Sequence, residues 1–146
     1  MKILVKKLDR RAALPKYAHL GRQGDLAADI SSIEQCRIKP GDIVTISTGL
    51  AMQFPLGYGA IIENRSGLSM RGLAVLGGVI DPGYTGEIRV VLAYLGKSPL
   101  TIHEGDRIAQ LRIVKRIEAS FVETLKLETT ARRARGFGST GLQIKR

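Results

Sequence analysis

The chain has 146 residues, 44% hydrophobic and 25% charged, the size and balance of one ordinary globular domain. No apolar run approaches the ~20 residues that a helix needs to cross a bilayer, so a membrane-spanning helix is not expected. The net charge of +10 is uneven: Arg132, Arg133, Arg135, Lys145 and Arg146 fall within residues 129–146, where there are no acids. Half of the excess thus sits on a short stretch, a pattern that fits a basic arm closing on an anion at least as well as a DNA-binding face.

The opening Met1-Lys2-Ile3-Leu4-Val5-Lys6-Lys7 lacks a long apolar stretch and a small-residue cleavage site. It reads as a strand, not a signal segment. The single Cys36 has no internal disulfide partner, and the cytoplasm is the expected compartment. Residues 43–48 are β-branched nearly throughout, and 60–63, 88–94 and 107–114 are similar short runs. Gly or Pro punctuates them at Pro40-Gly41, Gly77-Gly78, Pro82-Gly83, Gly96 and Gly105. Many short strands between frequent turns predict an all-β sandwich or barrel. With aromatics at only 5%, aliphatic side chains must fill its core. One brief helix is expected, with Ser66 as its cap and an end near Gly72. After about Leu127 no periodicity remains, and the division is a β domain over 1–128 and a tail over 129–146 that orders only when something binds.

Four clusters carry candidate chemistry. Arg65-Ser66-Gly67 at the mouth of a short helix offers a charge, a hydroxyl and backbone N–H groups to an anion, or is simply a capped turn with a surface Arg. In Gly77-Gly78-Val79-Ile80-Asp81-Pro82-Gly83-Tyr84 the glycines let backbone approach a flat ligand. Asp81 there lies at a strand-to-turn junction, where a carboxylate can meet a water, and Tyr84 offers a flat face to a sugar. The plain alternative is a hairpin whose Asp81 bonds only nearby backbone. Glu87 belongs to the following strand and reads as structural. Gln110 could donate to a phosphate oxygen or lie on a strand surface. Phe137, between Gly136 and Gly138, gains a reason to exist if it folds onto a base, with Ser139, Thr140 and Arg132 as donors and charge. No Walker-type loop, Rossmann glycine pattern or zinc spacing is present, and His19 and His103 read as turn or surface residues.

Taken in order, these pieces resemble the five motifs of the trimeric dUTPase (deoxyuridine triphosphatase) family. The first is Ala27-Ala28-Asp29-Ile30 with Pro40-Gly41-Asp42 and Thr48-Gly49-Leu50. The second is Arg65-Ser66-Gly67-Leu68. The third is Gly78-Val79-Ile80-Asp81 with Tyr84 and Gly86-Glu87. The fourth is Gly105-Asp106-Arg107-Ile108-Ala109-Gln110-Leu111, and the fifth is Gly136-Phe137-Gly138-Ser139-Thr140-Gly141. Together they span nearly the whole chain. Three departures stand out: Ala27 for a commoner Gly, Asn64 for a commoner Pro and Thr85 for a commoner Arg.

The resemblance implies a β jelly roll of the β-clip type with one short helix, and a homotrimer whose sites are built from more than one subunit. It implies hydrolysis of dUTP to dUMP and pyrophosphate, which limits uracil in DNA and supplies dUMP for thymidylate synthesis. Asp81 would activate the water that attacks the α-phosphorus. Arg65, Ser66, Gly67 and Gln110 would hold phosphates. Gly78, Val79 and Ile80 would read uracil, Tyr84 would pack on the deoxyribose, and Arg89 would add a further ligand contact. A neighbour's tail would close the site, with Phe137 over uracil and Arg132, Gly138, Ser139 and Thr140 toward the γ-phosphate. Mg2+ would bridge the triphosphate oxygens with no direct protein ligand, and Asp29 would support its waters. No stable nucleic-acid binding and no membrane association are expected. The nearest rival, a deoxycytidine triphosphate deaminase, would use Glu87 on the base. A non-enzymatic jelly roll would instead show salt-sensitive DNA binding without turnover.

Overall fold

A computed structural model of the chain describes residues 1–130 together with Arg133. The expected site residues Arg132, Phe137, Gly138, Ser139 and Thr140 lie outside the described residues. The order of elements is β1 (Leu4–Lys7), β2 (Ala28–Ser31), β3 (Cys36–Ile38), β4 (Ile43–Gln53), β5 (Tyr58–Glu63), α1 (Ser66–Ser69), β6 (Leu73–Leu76), β7 (Val79–Ile80), β8 (Glu87–Tyr94), β9 (Leu100–Ile102) and β10 (Arg107–Lys115).

Two four-stranded antiparallel sheets, ordered β1-β4-β8-β6 and β2-β10-β5-β7, face each other as a jelly roll, and β3 pairs with β9 beside them. Among the described residues the chain adopts the expected all-β class with one short helix. β8 shows why: Ile88, Val90, Leu92 and Tyr94 alternate with less buried neighbours, so one face of the pleat enters the core. The core is aliphatic, as the composition demands, with Ile30, Ile38, Ile46, Leu50, Ile88, Leu92 and Ile108 all nearly or wholly excluded from solvent. Each such side chain stabilises the fold by roughly 1.5–3 kcal/mol relative to exposure. No helix among the described residues is long and apolar enough to cross a membrane.

β4 runs five residues beyond the predicted stop at Thr48. The β-branched run stops at Thr48, but the strand continues through Gly49 by a β-bulge. Pairing with β8 slips between Ser47↔Arg89 and Leu50↔Ile88. Thr48 is fully buried there, and its hydroxyl donates to the Ile88 carbonyl. The Gly49 N–H donates to the Glu87 carboxylate at 2.9 Å, and its carbonyl accepts from Leu8 N–H at 2.8 Å. Gly49 has φ +65°, and a Cβ on it would sit 3.1 Å from Ala12, Asp9 and Ile33 side chains.

The helix also differs from expectation. Arg65, in extended conformation, occupies the N-cap position, and no side chain caps the helix. Ser66 is instead the first helical residue, exposed, so its hydroxyl is not engaged as a cap. Among the described residues regular structure ends at Lys115, and the Arg116 N–H donates to the Gly57 carbonyl at 2.8 Å.

Replacing Gly49 by Ala is expected to destabilise the chain by about 1–3 kcal/mol, because a left-handed backbone and a crowded Cβ coincide there. Urea unfolding checks this, and an unchanged midpoint would show that the bulge relaxes freely.

Candidate functional site

The first group of expected residues gathers around Asp29 on β2. Its side chain is only 10% exposed. Oδ1 accepts from Arg65 Nε at 2.9 Å and Oδ2 from Arg107 Nη1 at 3.0 Å. Arg65 Nη1 also donates to the Arg107 carbonyl at 2.9 Å. Gln110, opposite Asp29 in the β2–β10 ladder, holds its amide nitrogen 3.5 Å from Oδ1, a weak contact that leaves it able to turn to another acceptor. The backbone of Asp29 is clamped by mutual hydrogen bonds with Lys16. A carboxylate so little exposed is tolerable because both oxygens meet a cation.

Members of this ionic knot line two cavities. One, about 480 Å3, is lined by Lys16, Asp29, Ser31, Gly105 and Arg107 among others. The other, about 220 Å3, is lined by Arg65, Arg71, Thr101, Asp106 and Arg107. Ser66 and Gly67 are exposed at the start of α1. Arginines with preset guanidinium positions and exposed N–H donors are what a polyphosphate needs.

The second group forms around β7. Gly77 and Gly78 have φ +69° and +103°. The Gly78 carbonyl accepts from Ile62 N–H at 2.7 Å, and a Cβ on Gly78 would lie 2.6 Å from the Ile62 carbonyl oxygen. Only glycine lets the two backbones come this close, which fixes Val79 opposite Ile61 and Ile80 opposite Ala60. Because β7 ends its sheet, its outer backbone groups are open to a ligand. Asp81 follows, exposed, and its carboxylate has no hydrogen-bond or ion-pair partner among the described residues. The Tyr84 N–H donates to the Asp81 carbonyl at 3.0 Å, closing the expected turn, and the Tyr84 hydroxyl donates to the Glu87 carbonyl at 2.9 Å. Val79, Ile80, Asp81, Tyr84, Glu87 and Arg89 line one cavity of about 190 Å3. Glu87 is structural as expected: one oxygen receives Gly49 N–H at 2.9 Å and the other lies 4.0 Å from Arg89.

These two groups occupy opposite edges of one sheet. β10 and β5 intervene between β2 and β7, which puts about 14 Å between the outer strands. A single chain therefore does not gather the expected residues into one pocket. Arg107 stands in the fourth motif, but no role for it follows from the sequence alone. Three residues from Gln110, it would point to the opposite face of a regular strand. The β2–β10 register slips between Arg107 and Ala109, and that bulge brings both side chains to Asp29. A further pair went unread: Arg112 forks onto Glu63 at 2.7–3.1 Å and holds its carboxyl below the usual range. His19 is exposed and pairs with Asp25 at 3.1 Å, while His103 donates its backbone N–H to Asp106 in a turn.

A family model described as dUTPase matches residues 15–141 of the chain. The chain belongs to the dUTPase family. Among similar proteins, the deoxyuridine 5'-triphosphate nucleotidohydrolase of Thermobifida fusca (strain YX) is 44% identical over 146 residues, covering 97% of this chain and 79% of the relative. That of Hydrogenobaculum sp. (strain Y04AAS1) is 44% identical over 147 residues, covering 98% and 100%. A solved structure of the Staphylococcus bacteriophage 80alpha dUTPase with dUPNHPP superposes with a TM-score of 0.83 at 26% identity, covering 97% of this chain and 99% of that one. In fold the chain is also like a variant dUTPase from phage phi11 of S. aureus, described with a coordinated structural Mg(II) ion. That match has a TM-score of 0.75 at 24% identity, over 88% of this chain and 100% of the phage chain. By family the chain is a dUTP diphosphatase, an enzyme of nucleotide metabolism.

Within the dUTPase frame the departure at Asn64 has a structural reason. Its side-chain oxygen accepts the Val75 N–H at 2.6 Å, tying the segment before Arg65 to β6. Proline has no such oxygen. Asn64→Ala is expected to lower stability by about 0.5–1.5 kcal/mol, the net worth of one such bond. Thermal denaturation checks this, and an unchanged melting temperature would show that water replaces the bond without loss.

Proposed function

We propose that the chain hydrolyses dUTP to dUMP and pyrophosphate, with Asp81 activating the water that attacks the α-phosphorus, in sites shared between the subunits of a homotrimer. The observation that carries this reading is the division of the site residues. The β7 cavity combines a backbone edge, a tyrosine ring and an exposed Asp81 carboxylate. The arginine group lies across the sheet around Asp29. One chain supplies the half that reads base and sugar and aims the water, and a neighbour supplies the half that holds the triphosphate.

The roles follow from the groups. Gly78, Val79 and Ile80 present fixed N–H and C=O groups to uracil. Tyr84, its hydroxyl held by the Glu87 carbonyl, packs on the deoxyribose and excludes a 2′-hydroxyl. Arg89, at the rim of the same cavity, adds a further ligand contact. Arg65, Ser66, Gly67 and Gln110 hold phosphate oxygens. As the water oxygen bonds to the α-phosphorus, its proton passes to Asp81 and the bond to the bridging oxygen of the β-phosphate breaks, releasing pyrophosphate. Catalysis of this kind rests on positioning and charge stabilisation more than on a strong base.

Among the described residues no group of three or more His, Cys, Asp or Glu is placed to hold a metal ion, and both Asp29 oxygens already face arginines. Mg2+ fits the reading as a cation carried on triphosphate oxygens and water, where it would neutralise charge. Asp29 would support its waters through the lone pair that Oδ2 keeps beside its bond from Arg107. The tail from residue 129 would close a neighbour's site, with Phe137 over the base and Arg132, Gly138, Ser139 and Thr140 at the phosphates. The cytoplasm is the proposed compartment, and removal of dUTP would limit uracil in DNA while supplying dUMP. Engagement of the Glu87 carboxylate by Gly49 disfavours a deaminase that would turn this acid on the base.

Asp81→Asn is expected to cut turnover by about 10²–10⁴ while dUTP binding persists. Pyrophosphate release and calorimetry measure the two, and a fully active variant would remove Asp81 from its role. Deleting the chain after Ala131 is expected to leave a folded trimer with severely reduced activity. Undiminished turnover by that truncation, with its trimer confirmed by light scattering, would sink the closing role of the tail.

A further inference from the structure

Arg65 meets Asp29 differently from the way other arginines in this chain meet carboxylates. Arg11 forks onto Asp9, with Nε 3.0 Å from Oδ1 and Nη2 2.8 Å from Oδ2. Arg112 forks onto Glu63 likewise, with Nε 3.0 Å from Oε2 and Nη2 2.7 Å from Oε1. The two-bond fork is the favoured geometry of a guanidinium on a carboxylate. Arg65 uses only Nε, on Oδ1, while Oδ2 receives Arg107 Nη1 at 3.0 Å. Arg65 Nη1 is steadied by the Arg107 carbonyl, and Nη2 has no partner among the described residues. Arg107 reaches Oδ2 only through the bulge that turns it to the face of Gln110.

We infer that Arg107 is a positioning residue for the triphosphate: by occupying Asp29 Oδ2 it keeps Arg65 from forking onto Asp29, and so leaves the Nη2 edge of Arg65 open to phosphate oxygens. Without the Arg107 side chain, Asp29 swings both oxygens onto Arg65, and the guanidinium edge that should meet the ligand closes. Arg107 thus acts through Asp29 and Arg65. Nothing in this requires Arg107 to touch the substrate. The inference rests on the reading that the Asp29 group is the triphosphate half of the site.

The test compares Arg107→Met and Arg107→Lys in the full chain, each first checked for an intact melting transition. With Met, KM for dUTP is expected to rise about tenfold, the cost of one charge-assisted contact to phosphate. Affinity for inorganic tripolyphosphate, read by calorimetry, should fall in the same proportion. Inhibition by deoxyuridine, which has no phosphate, should stay unchanged. Because a single bond to Oδ2 is all that is needed, the Lys ammonium should hold dUTP affinity within about threefold of the parent chain. Equal losses for deoxyuridine and dUTP would reveal general damage and overturn the inference. So would unaltered dUTP and tripolyphosphate binding by the Met variant, or a Lys variant as weak as Met. Should the Met variant not fold, the tripolyphosphate affinity of the Lys variant decides: near-parental binding supports the role and a tenfold loss refutes it. A parent chain that binds tripolyphosphate yet releases no pyrophosphate from dUTP would count against the proposed reaction and leave this inference standing.

Discussion

A nearly buried carboxylate between two arginines governs one end of this molecule. Asp29 draws together β2, the turn before α1 and the start of β10, which are far apart in sequence. The sheets would bring these segments near one another without it, but would not fix where two long cationic side chains point. Charge pairing at low exposure does that, because a carboxylate withdrawn from water strongly favours arrangements that satisfy both of its oxygens. The same knot makes the arginines available as a set rather than as mobile surface charges.

The sheet order then decides what one chain can and cannot do. β7 and β2 are the two edges of one sheet, so β5 and β10 separate the hairpin bearing Asp81 from the group around Asp29. A jelly roll that placed both on one edge would build a pocket within a single chain. This one leaves two partial sites, which gives the assembly proposed for it a chemical purpose.

Much of the fold is legible in the sequence because alternation and burial coincide. β8 and β10 were readable from their apolar periodicity, and β5 nearly so. β4 extends past its β-branched run, because Gly49 permits a bulge that carries the pairing onward. β3, β6 and β9 are only three or four residues long, too short to display a periodicity, so long-range pairing defines them and the local sequence does not. The site was partly legible for the same reason. Asp81, Tyr84 and the paired glycines are neighbours in sequence, and their turn closes as read. Ser66 was misplaced by one position, because Arg65 holds the extended backbone of the cap. Arg107 escaped because its face is set by a register slip, and register depends on the partner strand.

The bond from the Gly49 N–H to the Glu87 carboxylate crosses from the bulge of β4 to the base of the hairpin that carries Tyr84. The Glu87 carbonyl in turn receives the Tyr84 hydroxyl. One residue thus couples an irregularity in the packing of one sheet to the tilt of an exposed ring on the other side of a turn. Sequence drift that eases crowding around the bulge is consequently not neutral for the ring. In this fold a packing irregularity and the setting of an exposed aromatic ring are linked traits, joined through the two ends of Glu87.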